Sequence, residues 1–180
     1  MTRFFKIFAI IIIVLIIILV SIGIFARQNT YFSQTQIIKS PVSVVWGHLV
    51  DVTHYHEWQS EIRMVELTTG SDIREGVILR FHLSDYDSSY FHEEKIVGLE
   101  DNKSIIFLRT GVNENPLLQN YKTNYTLKRL LDGTTELSVD VSYKAFGITA
   151  RIYNQLYYRS LLINSCEKNL SSLRNLIEKI

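Results

Sequence analysis

The hydrophobic pattern along the chain switches period several times, and each switch marks a new element. From Ile7 to Ala26 the stretch IFAIIIIVLIIILVSIGIFA has no polar stripe, and Ser21 is its single hydroxyl interruption. From Tyr31 to Ile38 a β-branched and aromatic run reads as a strand. Over 41–50, Val42, Val45, Trp46 and Leu49 fall on one helical face. Ser40 is the expected N-cap of that helix, with Pro41 in its first turn. Asp51 is expected to cap a second short helix running through Tyr55 to Trp58. The period then drops to two, and 62–70, 77–86, 88–100, 103–111, 118–131 and 134–143 read as six strands. Turn residues separate them: Gly70-Ser71-Asp72, Asp85 to Ser89, Asp101-Asn102, Asn113 to Pro116 and Asp132-Gly133. From Thr149 to Ile180 the helical period returns. Ile152, Leu156, Ile163, Cys166, Leu170, Leu173 and Ile177 form one stripe that no Pro or Gly interrupts.

Consecutive strands with short turns imply an antiparallel meander, and alternation assigns its faces. Val77, Leu79, Phe81 and Leu83 share one side; Ile78, Arg80 and His82 share the other. The first set is more apolar and is expected inside. Leu137, Val139, Val141 and Tyr143 make a matching apolar face on the last strand. A helix of about thirty residues with one apolar stripe needs a large surface to cover it, and a curved sheet is the surface available. The fold class is therefore α+β.

The N-terminal segment stands apart from this domain. Twenty uncharged residues at 1.5 Å rise cover about 30 Å, the thickness of a bilayer's hydrocarbon core. A cleavable signal peptide is the competing reading. The apolar run exceeds the roughly 7–15 residues of a signal core, and Ile24 stands where cleavage after Ala26 would want a small residue. An uncleaved span over 7–26 is expected, with a basic flank over 1–6, a connector over 27–30 and one domain over 31–180. Arg3, Lys6 and the terminal amine precede the span, and Arg27 alone follows closely, which places the domain on the extracytoplasmic side. Net charge is +1, so there is no basic excess for nucleic acid to bind. The single cysteine, Cys166, forms no internal disulfide.

The entry segment Ile38-Lys39-Ser40-Pro41-Val42, followed by Val45-Trp46, Asp51, Tyr55 and Trp58, resembles the START, Bet v 1 and polyketide-cyclase superfamily. Asp132-Gly133-Thr134 ahead of Leu137-Ser138-Val139 is a second point of similarity. The resemblance runs from Tyr31 to about Lys179. It implies a helix-grip fold, in which a curved antiparallel sheet of about seven strands wraps a long C-terminal helix. It also implies a cavity between the two that takes lipids or other hydrophobic small molecules; a minority of such proteins catalyse cyclisation or dehydration.

Phe81, Tyr90, Phe107, Tyr121, Tyr125, Tyr153 and Tyr157 are the expected cavity lining. Tyrosine joins an apolar ring to one hydroxyl, which suits a mostly apolar pocket with few polar anchors. If the other sheet face lined the cavity instead, Arg80, His82 and one of Glu93 or Glu94 would form a polar cluster suited to acid–base work, with Glu93 the first choice. Trp46 and Trp58 are assigned to packing where helices meet sheet. His54 and His56 sit two apart in a helical or loop context, so they diverge and make no metal site. Cys166 lies on the apolar stripe, where a thiol packs as a small hydrophobe. No cofactor motif is present. The remaining class is a non-catalytic protein-binding module, which would have a filled interior. An uncleaved anchor has a direct consequence. The full chain should stay with membranes through an alkaline carbonate wash and keep its N-terminal mass; release into the wash would overturn the anchor.

Overall fold

The computed structural model of the chain describes residues 2–84, 90–110 and 118–179. The turns expected at Asp85 to Ser89 and Asn113 to Pro116 lie outside the described residues, as does the side chain of Arg3. A 24-residue helix, α1 (Thr2–Phe25), comes first, and β1 (Asn29–Ile38) follows almost at once. Next are α2 (Val42–Val50) and a 3₁₀ turn (Val52–Glu57). The meander is β2 (Ile62–Leu67), β3 (Ile78–Leu83), β4 (Phe91–Glu100), β5 (Ser104–Thr110), β6 (Leu118–Arg129) and β7 (Thr135–Ala145). The chain ends in α3 (Ile148–Tyr153), a π-helical turn (Asn154–Tyr158) and α4 (Arg159–Glu178).

The seven strands form one antiparallel sheet in the order β1-β7-β6-β5-β4-β3-β2. Only β1 leaves sequence order, and it pairs with β7 along its whole length, from Asn29 opposite Lys144 to Ile38 opposite Thr135. The β6–β7 hairpin turns through Gly133 at φ +82, a left-handed conformation that favours glycine. There Asp132 Oδ1 accepts from both the backbone and the hydroxyl of Thr134. Register shifts in β4 at Ile96/Gly98 and in β6 at Gln119/Lys122 bend the sheet. This is the expected helix-grip architecture.

Alternation holds as expected. Val77, Leu79 and Phe81 are buried, and so are Leu137, Val139, Val141 and Tyr143. Trp46 and Trp58 are buried, with the Trp58 ring edge-on to Tyr125 at 6.3 Å. Two caps differ from expectation. Pro41 occupies the N-cap of α2 without a side-chain hydrogen bond, while the Ser40 carbonyl accepts from the Thr135 hydroxyl at 2.7 Å. Asp51 makes no cap hydrogen bond to the 3₁₀ turn; its carboxylate instead accepts from the Thr53 hydroxyl and pairs with His54.

The C-terminal stripe holds in its second half and shifts in its first. Leu170, Leu173 and Ile177 are buried, but Leu156 is 57% exposed and Ile152 meets α1 rather than the sheet. The wider π turn advances the inward face, so Ala150, Asn154, Tyr158 and Leu162 take those places. Asn154 is buried at this turn. Its Oδ1 accepts from the Tyr143 hydroxyl at 2.5 Å and its Nδ2 donates to Thr30 Oγ1 at 2.9 Å, tying β7, β1 and the helix together.

Helix α1 is long and apolar enough to cross a membrane, and its N-terminal position suits a signal sequence equally. Only 6% of its most apolar window is buried within the protein, so the domain does not cover it. Its last turn alone packs on α3. Gly23 permits this, since a Cβ there would sit 2.4 Å from Ile148 Cγ2. Arg151 reaches the carbonyls of Gly23 and Ile24 at 3.4 and 3.5 Å, which lie in the turn where helix carbonyls lack intrahelical partners. The Asn154 network is a stability determinant. Asn154→Ala strands two buried hydroxyls and should cost about 1–3 kcal/mol, read as a lower unfolding midpoint.

Candidate functional site

Between the concave sheet and the C-terminal helix lies a cavity of about 390 Å³. Strand alternation supplies most of its wall. Phe81 and Leu83 come from β3, Phe107 and Arg109 from β5, and Tyr121, Thr123 and Tyr125 from β6. Tyr55 and Gln59 close one side, and Tyr158, Leu161, Leu162, Ser165 and Cys166 come from the helix. The apolar part of the wall is aromatic and rigid. Tyr55 is anchored by its hydroxyl, which donates to the Leu49 carbonyl at 2.6 Å. Phe107 and Tyr125 meet edge-on at 6.0 Å.

Into this wall the sheet sets three polar residues that face one another. His92 and Glu94 are two apart on β4 and share a face; Glu94 lies opposite Arg109 on β5. Arg109 Nη2 donates to Glu94 Oε1 at 3.1 Å and sits 3.3 Å from His92 Nε2. His92 Nε2 is also 3.3 Å from Glu94 Oε1, so its tautomer decides whether it donates to the carboxylate or accepts from the guanidinium. The His92 ring stacks on Phe81 at 5.1 Å, and the Arg109 guanidinium lies 4.4 Å from the Tyr121 ring centre. Among the described residues Arg109 Nε has no hydrogen-bond partner, which leaves one buried donor of the guanidinium unused.

The electrostatics follow from this packing. Burial alone would raise the Glu94 carboxyl. The hydrogen bond from His92 and the charge of Arg109 outweigh it and hold the group down at about 2. Burial and the Arg109 charge push His92 below its usual range, against the opposing pull of Glu94. At neutral pH the cluster is thus an ion pair beside an uncharged imidazole. Burial pushes the Cys166 thiol up to about 11, which keeps it protonated and unreactive.

The expected lining is brought together in part. Phe81, Phe107, Tyr121 and Tyr125 stand in the cavity wall. Tyr90, Tyr153 and Tyr157 do not; all three are exposed. Tyr90 precedes β4, and the π turn rotates Tyr157 outward while bringing Tyr158 in. The alternative cluster lies on the outer sheet face. Arg80 donates twice to Glu93 Oε1, at 3.1 and 2.8 Å, and stacks on Phe91, while His82 sits 3.1 Å from Glu66. The polar cluster of the sheet wall is His92, Glu94 and Arg109, which the sequence reading did not assemble; on the helix side Ser165 Oγ and Asn169 Nδ2 donate to Glu61 Oε1 at 2.9 and 2.7 Å and add a second polar group to the lining. Alternation held the clue, because Phe107 inside puts Arg109 inside.

The sequence matches the family model for polyketide cyclase / dehydrase and lipid transport over residues 30–178. The chain belongs to that family. No curated protein sequence matches this family member. Among solved structures it is similar to the Zhui aromatase/cyclase from Streptomyces sp. R1128, at 14% identity and a TM-score of 0.66, covering 84% of this chain and 94% of that one. It is similar to Ara h 8.0201, at 12% identity and a TM-score of 0.64, covering 84% and 99%. The di-domain ARO/CYC StfQ of the steffimycin biosynthetic pathway matches at 13% identity and a TM-score of 0.68, covering 84% of this chain and 51% of that one. At these identities the likeness concerns the fold.

The depressed groups set a pH dependence. Glu94 binds its proton more weakly folded than unfolded, so its contribution is complete above the ordinary carboxylate range and is lost as pH falls from there towards about 2. His92, also depressed, adds a loss that begins as pH falls through the ordinary histidine range, where the unfolded chain binds the proton first. Acid should therefore lower the unfolding midpoint. A Glu94→Gln variant should be less stable at neutral pH and show a shallower acid slope in denaturant titrations.

Proposed function

We propose that this chain is a membrane-anchored binder of one small, mostly apolar molecule that carries a neutral hydrogen-bonding group such as a carbonyl or hydroxyl. The observation that carries this reading is the apolar, aromatic cavity with the buried Arg109–Glu94–His92 cluster in its wall. A volume of about 390 Å³ is near the small end of small-molecule pockets, which run from about 300 to 1,000 Å³. The apolar wall supplies affinity through burial, and a few polar groups fix orientation. Arg109 is neutralised by Glu94, so a strong anion gains little there. A neutral polar group suits the neutralised pair better than a charged one. The anchor reading of α1 is supported by its length, its apolarity and the absence of cover from the domain.

Cyclase or dehydratase chemistry is a second reading favoured by one observation: an uncharged imidazole beside a carboxylate inside an apolar cavity is placed to move a proton on a bound carbonyl compound. Binding comes first in either case and is tested first. Full-length chain purified in mild detergent should yield about one small neutral amphiphile per chain on solvent extraction and mass spectrometry. Leu162→Trp should remove that molecule by filling the cavity while the unfolding midpoint holds. The double variant Arg109→Met/Glu94→Gln removes both charges together and should weaken binding of a carbonyl-bearing probe roughly tenfold. Empty wild-type protein that also fails to bind Nile red would overturn the proposal.

A further inference from the structure

We infer that the face around the root of α1 seats on the bilayer, with the exposed side of the helix from Ile148 to Leu161 at the lipid–water boundary and Arg27 and Arg159 meeting anionic lipid headgroups. This rests on α1 being a membrane span, as proposed above.

Depth is set by contact. Gly23 belongs to the last turn of α1, where a span of that length emerges from hydrocarbon. That turn packs on Ile148 and Ile152, and Arg151 reaches its last carbonyls. Helix α3 is thereby held at the level where acyl chains give way to headgroups. From there α4 runs away from the anchor, since Glu178 at its far end accepts from the backbone of Lys39 beyond β1.

Composition agrees with that depth. Phe25, Phe146, Tyr153, Leu156 and Tyr157 are exposed around the root of the anchor, and Leu156 shows 57% of its surface. Tyrosine is enriched where one side is apolar and the other wet, and leucine and phenylalanine make the apolar face that an interfacial helix buries. Between Lys144 and Cys166 the chain carries Lys144, Arg151 and Arg159 and no acidic residue; the first acid is Glu167. A helix with a basic and an apolar side and no acid matches an interfacial amphipathic helix. The bias stops with this segment, because 167–179 mixes both signs.

A second hollow, about 620 Å³, lies between the end of α1 and the domain. Ile22, Phe25 and Ala26 form its apolar side, and Arg27, Gln155 and Arg159 its polar side. Among the described residues neither arginine is held in an ion pair. Two guanidinium groups beside an apolar wall, at headgroup depth, fit the phosphate of an anionic lipid whose chains lie along α1. The same geometry turns the main cavity towards the bilayer. Asn29, Ala145, Leu118, Thr110, Phe91, Leu83 and Ile62 all end their strands at the anchor side, and most cavity residues of β3 to β7, Leu83, His92, Glu94, Arg109, Tyr121 and Thr123 among them, lie in that half.

The test places single cysteines on the full chain in a Cys166→Ala background, in nanodiscs that leave both bilayer faces open to reagent. Leu156→Cys is compared with Glu167→Cys, which is three turns and about 16 Å further along the same helix side. On discs of phosphatidylcholine with phosphatidylglycerol, a charged maleimide should label position 156 roughly tenfold more slowly than 167. Protection should weaken on phosphatidylcholine alone, and Arg27→Gln/Arg159→Gln should abolish the difference between the two discs. Equal labelling at both positions overturns the seating, and equal protection on both discs overturns the headgroup assignment. Protection found with two chains per disc but not with one identifies the face as a contact between copies and overturns the proposal. Chain released by alkaline carbonate overturns the anchor and this inference together, whereas stable insertion with position 156 fully labelled overturns this inference alone.

Discussion

The helical segment from Ile148 to Glu178 carries one apolar side, and the concave face of the sheet is the surface that covers it. Leu170, Leu173 and Ile177 complete that contact at one end, where they meet the region of Ile38 and β1. Around Tyr158, Leu161 and Leu162 the two surfaces do not fill the space between them, and the cavity lies there. Bulges in β4 and β6 supply the curvature that makes this gap. The cavity lies between the bent sheet and the helix, beyond the leucine contacts, and Tyr55, Tyr121, Tyr125 and Tyr158 line it.

A buried ion pair in such a space is a cost as well as a feature. Removing a guanidinium and a carboxylate from water costs several kcal/mol per ion, and their attraction returns it only with good geometry. Arg109 and Glu94 have that geometry, with His92 as a third partner and the Tyr121 ring beneath the guanidinium. An apolar trio of the same size would stabilise the fold at least as well. They sit in the wall of the cavity, whereas Arg80 and Glu93 pair on the outer face.

The anchor end joins the two themes. Thr30, Tyr143 and Asn154 bind the first strand, the last strand and the helix into one knot just beyond α1, and Gly23 lets α1 lie directly against α3. The domain is therefore held in a definite pose relative to α1 instead of hanging from a loose linker, and two residues separate Ala26 from β1.

Much of this was legible in the sequence because period and turn chemistry are local. Alternation placed Val77, Leu79 and Phe81 inside and Arg80 outside, Asp132-Gly133 marked its hairpin, and the uncharged run of α1 announced itself by composition. Four of the lining aromatics followed from the same rule. The rest depended on contacts between distant segments. A single extra residue in the π turn rotates Tyr157 out and Tyr158 in, and no periodicity count at 3.6 residues per turn detects it. Glu94 and Arg109 are fifteen residues apart, and only the β4–β5 register sets them face to face. The sequence by itself determined which residues alternate, where the Asp132-Gly133 hairpin turns and which segment the domain leaves uncovered. The tertiary structure decided which polar residues meet inside, because register and helix phase are set by the packing of the whole sheet against one helix.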